Sequence, residues 1–293
     1  VPCFSPLVGF RSPTGGLVFS RPQSIGLRMT VPCGQCVGCR LERSRQWAVR
    51  CMHEASLHER NCFVTLTYSD EFVPRFGSLL MDDWQKFFKR LRRSLDERVR
   101  FFGCGEYGTE SGRPHYHACL FGVDFADKVL WSHRSGHDVY RSPLLERVWK
   151  YGQSEIGSLT FESAAYVARY SLKKVTGGKA SAHYECVDPD SGEISSRLPE
   201  FATMSRRPGI GNGWFEKFGA EVYPSDEVIV RGKSCKPPRF YDRLLAASSP
   251  EEAKDVQRAR NRARDRGDET AARLRVREVC AEARVSLYQG REL

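Results

Sequence analysis

The stretch VRFFGCGEYGTESGRPHYHACLFG, residues 99–122, decides the fold. Val99 to Tyr107 and His115 to Gly122 have the composition of strands, and a short connection rich in Gly, Ser and Pro joins them, the pattern of a β-hairpin. So short a connection allows only antiparallel pairing, so the sheet is antiparallel at its centre. Side chains alternate faces along a strand, which sends His115 and His117 to the same side. A turn from Gly108 to Pro114 sets Glu106 opposite them. Two imidazoles and a carboxylate suit a divalent ion such as Mg²⁺ or Mn²⁺ and leave coordination positions open for phosphate oxygens. The competing reading is two surface histidines beside a solvated glutamate, because an H-x-H pair alone has little specificity.

Upstream, Cys62 to Tyr68 (CFVTLTY) is rich in β-branched and aromatic residues and predicts a largely buried strand. Trp84, Phe87, Phe88, Leu91 and Leu95 then form a helical stripe, with Lys86, Lys89, Arg90, Arg92 and Arg93 around the rest of the circumference. Downstream, the patterns predict a short helix over Leu144 to Lys150, a strand over Ser154 to Phe161, and a helix over Ser163 to Lys174 that stops at Gly177 and Gly178. Strand, helix, two strands, helix, strand, helix is an α+β order: a central antiparallel sheet with packed helices.

At the ends the patterning changes. Residues up to Gly34 are rich in Pro, Gly and Ser and predict irregular structure; Arg40 to Arg60 predicts a basic amphipathic helix built on Leu41, Ala48, Cys51, Met52 and Ala55. Beyond Gly178 there is little pattern, and from Pro250 Arg alternates with Glu and Asp, as in a solvated helix or partly disordered tail. The expected organisation is a cysteine module with a basic helix (1–60), the hairpin-bearing core (61–178), an extension of that core (179–248) and a charged helical tail (249–293).

Two tyrosines stand four apart in Ala164-Ala165-Tyr166-Val167-Ala168-Arg169-Tyr170-Ser171-Leu172-Lys173-Lys174, so on a helix they share a face, with Lys173 close to it. One phosphate is then within reach of either hydroxyl in turn. A phenol with a pKa near about 10 is protonated at neutral pH, so attack on phosphorus needs a polarised phosphate and exact placement. Taken alone, the pair reads first as amphipathic core residues, as most tyrosines in helices are.

Cys33, Cys36 and Cys39 have C-x₂-C-x₂-C spacing, with glycines that allow tight turns. A closed zinc site needs a fourth ligand. Cys3 is the first choice because it would pin the N-terminus, with Cys51 and His53 as alternatives; an iron–sulfur site or free thiols are the competing readings. Cys62, Cys104 and Cys119 fall in strands and read as small buried residues. Eleven cysteines, an odd number, argue against a disulfide framework and for a reducing compartment.

The formal charge of +10 and a pI near 9.1 favour a polyanionic partner, although an anionic membrane surface fits charge alone. Arg40, Arg43, Arg45 and Arg50, with the second helix's basic residues, are the phosphate-contact candidates, and Arg206 and Arg207 stand before a Gly-rich turn. No apolar run approaches a membrane span and no signal-peptide order opens the chain, which predicts a cytoplasmic protein.

PCGQCVGCR (32–40), FVTLTY (63–68), GEYG (105–108) with GRPHYHACLFG (112–122), YVARYSLKK (166–174) and MSRRPGIGNGWF (204–215) together resemble the HUH endonuclease superfamily, and more closely the replication initiators of microviruses of gokushovirus type. The resemblance implies that Glu106, His115 and His117 hold a catalytic Mg²⁺ or Mn²⁺, with Tyr116 at the position that is usually hydrophobic in the family. It implies that Tyr166 and Tyr170 are paired nucleophiles assisted by Lys173, one opening the origin and the other resolving the finished circle through a 5′-phosphotyrosine. Rejoining then needs no ATP, in keeping with the lack of a Walker-type run. Implied partners are origin DNA of a circular replicon, a host helicase and a host DNA polymerase, in the cytoplasm of a bacterial host. The rival readings are a plasmid initiator, relaxase or transposase of the same chemistry, and a non-enzymatic zinc-stabilised DNA-binding protein.

Overall fold

The computed structural model describes residues 3–12, 16–19, 27–108, 111–134, 136–170, 174–175, 177–188, 191–264 and 267–289. They divide into two compact units: residues 1–45 with 251–293, and residues 46–250.

In the first unit, β1 (Leu7–Arg11), β2 (Leu17–Val18) and β3 (Leu27–Val31) form a three-stranded antiparallel sheet in the order β2-β1-β3. This corrects the expectation of irregular structure. The strands are mostly exposed, so no alternation of buried and exposed residues marked them. Helix α1 (Val37–Ala55) begins within the cysteine run, so Cys39 lies in its first turn.

The second unit follows the expected order through its centre: β4 (Asn61–Tyr68), α2 (Met81–Leu95), β5 (Arg100–Tyr107), β6 (Pro114–Phe121), a hairpin of β7 (Val129–Arg134) and β8 (His137–Arg141), α3 (Pro143–Val148), β9 (Gly152–Gly157) and α4 (Phe161–Tyr170). After it come α5 (Ala180–Tyr184), the β10 (Glu185–Val187) and β11 (Ile194–Ser196) hairpin, β12 (Phe201–Met204), α6 (Asn212–Val222), the β13 (Val228–Val230) and β14 (Lys233–Cys235) hairpin, and α7 (Arg239–Ser248). The charged segment from Pro250, which from Glu251 onward belongs to the first unit, forms α8 (Pro250–Arg262) and α9 (Ala271–Gln289).

Seven strands make one antiparallel sheet in the order β12-β5-β6-β4-β9-β8-β7. Two cores form on its two faces. On one, Trp84, Phe87, Phe88 and Leu91 of α2 and Leu145 and Val148 of α3 pack on Val64, Leu66, Tyr116, Ala118, Leu120 and Ile156. On the other, Ala48, Cys51 and Ala55 of α1 and Ala164, Ala165, Val167 and Ala168 of α4 pack on Phe102, Cys104, Cys119 and Phe121. The FGCGE run of β5 explains how one strand serves both. Gly103 and Gly105 face Trp84 and Phe201, where a Cβ would come within 2.7 and 2.8 Å of ring atoms, while Phe102, Cys104 and Glu106 take the other face. Cys62, Cys104 and Cys119 are buried strand residues, as expected.

Candidate metal centre and tyrosine helix

The hairpin register puts Glu106 directly opposite His115, and Cys104 opposite His117. Both imidazoles converge on one carboxylate oxygen: His115 Nε2 lies 2.9 Å and His117 Nε2 2.8 Å from Glu106 Oε1. Other atoms orient the rings. His115 Nδ1 lies 3.0 Å from the carbonyl oxygen of Arg113, which can only accept, so the ring proton is on Nδ1. His117 Nδ1 lies 3.0 Å from Thr65 Oγ1 on β4, its cross-strand neighbour, and the ring stacks on Phe63.

This arrangement fits a cation. With a proton on His115 Nδ1, the ring's Nε2 can meet a carboxylate oxygen favourably only if a second proton or a metal ion lies between them. The second oxygen of the buried carboxylate, Oε2, has no hydrogen-bond partner among the described residues. An unpaired buried carboxylate oxygen is costly unless something positive meets it. Burial by itself would raise the Glu106 pKa, but hydrogen bonds from the two imidazoles outweigh it and hold the carboxyl below the usual range. Burial pushes the His117 pKa down, which favours the neutral, ligating ring.

Helix α4 brings the tyrosine. Reciprocal bonds at its start, Thr160 N–H to Ser163 Oγ (2.9 Å) and Ser163 N–H to Thr160 Oγ1 (3.2 Å), fix where it begins. Its buried face is Ala164, Ala165, Val167 and Ala168, small side chains that let it lie close to the sheet. The Tyr166 hydroxyl donates to Glu106 Oε1 at 3.2 Å, and its ring stands edge-on to His117 with centroids 5.1 Å apart. Tyr170 closes the helix; its side chain, and the whole of Lys173, lie outside the described residues.

Tyr116, between the two histidines, faces the opposite core. Its hydroxyl bonds Tyr68 Oη, the Leu80 carbonyl and the Leu80 N–H at 2.9 to 3.0 Å. The phenol is accommodated in this core because the pocket supplies partners for its oxygen.

In the first unit, Cys3 joins Cys33, Cys36 and Cys39, with the four sulfurs within 4.8 Å of one another. Sulfurs about 2.3 Å from a tetrahedral zinc stand about 3.8 Å apart, so the spread suits such an ion. Backbone N–H groups point at them: Phe4 to Cys36 Sγ at 3.3 Å, Cys33 to Cys3 Sγ at 3.2 Å and Cys36 to Cys33 Sγ at 3.3 Å. Burial would raise the Cys36 pKa, but hydrogen bonds from the Cys39 and Phe4 backbone and from the Cys39 and Cys33 thiols bring it down to about 7. Burial pushes Cys39 up to about 12. The alternative fourth ligands are engaged otherwise: His53 Nδ1 meets the Tyr241 hydroxyl at 2.8 Å and its ring stacks on Trp214, and Cys51 is in the sheet core.

Several basic residues expected at phosphates are engaged within the chain. Arg50 is buried, its guanidinium lying between Trp47 and Phe240 at about 4 Å from each centroid while Nε donates to the Ile210 carbonyl at 3.0 Å. Arg45 pairs with Glu42, Lys86 with Asp82, and Arg90 donates to the Val148 carbonyl. The MSRRPGIGNGWF run acquires a physical role here. Arg100, ion-paired to Glu54, donates to the carbonyls of Pro208 and Gly209, and the Gly211 N–H donates to Glu54 Oε2 at 2.7 Å, so the loop is anchored while Arg206 and Arg207 stay exposed. Sequence reasoning missed Thr65; the TLT alternation opposite the H-x-H strand was the signal that could have found it.

Comparison with known proteins gives these positions a setting. Residues 61–175 match the family model described as replication-associated protein ORF2/G2P. The chain is 31% identical over 262 residues to the replication-associated protein VP4 of Bdellovibrio phage phiMH2K, covering 85% of this chain and 78% of that protein. It is 35% identical over 232 residues to the replication-associated protein ORF2 of Spiroplasma virus 4 (74% of this chain, 68% of that protein) and 30% identical over 267 residues to the replication-associated protein ORF4 of Chlamydia phage 1 (88% and 62%). No solved structure matches the chain. No helix among the described residues is long and apolar enough to cross a membrane. Two of these relatives, 31% and 35% identical with 78% and 68% of their length covered, make the chain a member of the phage replication-associated protein family, the gokushovirus-type replication initiators.

Proposed function

We propose that this chain initiates rolling-circle replication by nicking and rejoining single-stranded origin DNA, as an HUH endonuclease. One observation carries the reading: two imidazole nitrogens and a tyrosine hydroxyl meet at the same oxygen of a buried carboxylate. Glu106, His115 and His117 would hold a divalent ion, Mg²⁺ or Mn²⁺. Bound there, the ion would draw charge from the scissile phosphate and leave the phosphorus open to attack.

The residues of the chain do the rest. The Tyr166 or Tyr170 oxygen forms a bond to phosphorus as the bond to the 3′ oxygen breaks, and the phenolic proton is lost as the departing 3′ oxygen gains one. The 5′ end stays on the tyrosine and the free 3′-OH primes synthesis. Attack by a later 3′-OH reverses the step, so the phosphodiester is conserved without ATP. Thr65 and the Arg113 carbonyl keep the imidazoles oriented, and Lys173 would stabilise the charged oxygen. Cys3, Cys33, Cys36 and Cys39 would hold a structural Zn²⁺, because a closed four-thiolate set leaves no position for substrate.

We assign catalysis to residues 61–178, with 1–60 as the cysteine module and basic helix, 179–248 as an extension of the core and 249–293 as a charged tail. The partners proposed are origin DNA and a host helicase and polymerase, in the cytoplasm of a bacterial host. Incubation with origin-containing single-stranded DNA and Mn²⁺ should produce a covalent protein–DNA adduct. EDTA should prevent it, and the Tyr166→Phe/Tyr170→Phe double variant should not form it. Binding without adduct under every metal condition would leave a zinc-stabilised DNA-binding protein instead.

A further inference from the structure

The β7–β8 hairpin was not apparent in the sequence, and it carries the most exposed tryptophan among the described residues. Trp131 is 54% exposed although it sits within a strand. Pairing of β7 with β8 shifts register between Leu130 and Ser132, so Trp131 is the extra residue of a β-bulge. Bulges re-aim side chains, and here the indole meets the Arg141 guanidinium, whose Cζ is 3.8 Å from the ring centroid.

The register shows which face this is. Thr65 pairs with both His117 and Glu155, so Glu155 shares the face of the metal-binding histidines. Tyr140 pairs with Ile156, which puts Arg141 beside Glu155 on that same face. Arg141 donates to Gln153 at 3.4 Å and Arg134 to Glu155 at 3.1 Å, which agrees with that placement. From His117 the row runs Thr65, Glu155, Arg141 and Trp131, crossing four strand spacings, about 19 Å.

This part of the sheet face is open. Along β4 and β9, the residues directed to α2 and α3 (Val64, Leu66, Ser154, Ile156) are buried, whereas those on the histidine side (Phe63, Thr65, Thr67, Gln153, Glu155) are half-buried or exposed. Helix α4 lies against β5, β6 and β12. The open face therefore continues from the candidate catalytic centre to a cation-backed indole, with Arg134 and Arg141 on it and Glu155 and Asp138 as the acidic groups nearby.

We propose that Trp131, backed by Arg141 and flanked by Arg134, is a base-stacking subsite for the single DNA strand that enters the Glu106/His115/His117 centre. The inference rests on the nuclease reading above. An indole with one face on a guanidinium and the rest exposed offers a π surface to any base, and the two arginines offer charge to the phosphates. The subsite grips the strand a few nucleotides from the scissile phosphate without reading its sequence.

The test is equilibrium binding of the full chain to fluorescein-labelled oligothymidylates of about 6 and about 20 nucleotides in EDTA, bracketing ordinary single-strand footprints. Wild type should bind the longer probe more tightly. Trp131→Ala should remove about tenfold or more of the affinity for the long probe and little for the short one, Trp131→Phe should keep most of it, and Arg141→Ala should weaken binding and flatten its salt dependence. Equal long-probe affinity for wild type and a Trp131→Ala protein of unchanged Tm overturns the proposal. So does a Trp131→Ala protein that binds DNA normally but loses self-association in sedimentation, which would make the hairpin a protein contact. Adduct formation by wild type in Mn²⁺ is scored separately: adduct without a Trp131 effect defeats only the subsite, and a Trp131 effect without adduct defeats only the nuclease reading.

Discussion

The two faces of strand β6 put similar chemistry to opposite uses. On one face Tyr116 is completely buried, and its hydroxyl is tied to Tyr68 and to both polar groups of Leu80. One residue away on either side but across the pleat, His115 and His117 crowd nitrogens onto an acidic oxygen, and Glu106 keeps a second oxygen with no partner among the described residues. The first face closes its polar network internally and gains rigidity from it. The second leaves polar capacity unused, which weakens a fold unless a ligand completes it. The unmet carboxylate oxygen therefore marks the candidate metal centre, whereas the Tyr116 hydroxyl behind it is fully met.

The sharpest way to break this contrast is Glu106→Gln. Mn²⁺-dependent adduct formation should fall by more than about a hundredfold, since a direct ligand matters more than an orienting partner. Its Tm in EDTA should change little, because the amide removes the unmet charge at Oε2 but also the carboxylate that the imidazoles stabilise. A clear loss of stability would instead make Glu106 a structural residue. On the closed face, Trp84→Ala should cost about 3–5 kcal/mol in denaturant unfolding, since the ring fills the space left by Gly103 against Phe88 and Tyr116. A small loss would show that the face can collapse.

Thr65→Val tests the orienting layer. Removing the hydroxyl 3.0 Å from His117 Nδ1 should lower Mn²⁺ affinity about 10- to 100-fold by titration calorimetry while changing Tm little. Affinity equal to wild type would show that Phe63 and the backbone suffice to hold the ring. The smallest effect belongs to Tyr116→Phe: about 1–2 kcal/mol less stability, with adduct yield at saturating Mn²⁺ unchanged, because the lost hydroxyl belongs to the supporting face alone. A larger loss of adduct than of stability would couple the two faces.

The local sequence carried much of this. Alternation of two made the hairpin and its shared histidine face legible, and the helical stripe of α2 was plain because five large apolar residues recur on one side. The β7–β8 hairpin and β12 were not legible, since their residues are exposed or only half-buried and show no clean alternation. Basic residues looked alike in the sequence. Packing separated Arg50, held between two rings, from Arg206 and Arg207, which face outward.

By itself the sequence determined which residues could meet across one turn: Glu106 with His115 and His117 depends on strand periodicity and a short loop, both local. Whether Tyr166 reaches that carboxylate, whether Cys3 joins its distant partners, and whether Trp131 shares a face with the histidines were decided only in three dimensions. Each of those contacts joins chain segments far apart in sequence, and their meeting is set by helix packing and strand order, which no short window of residues encodes.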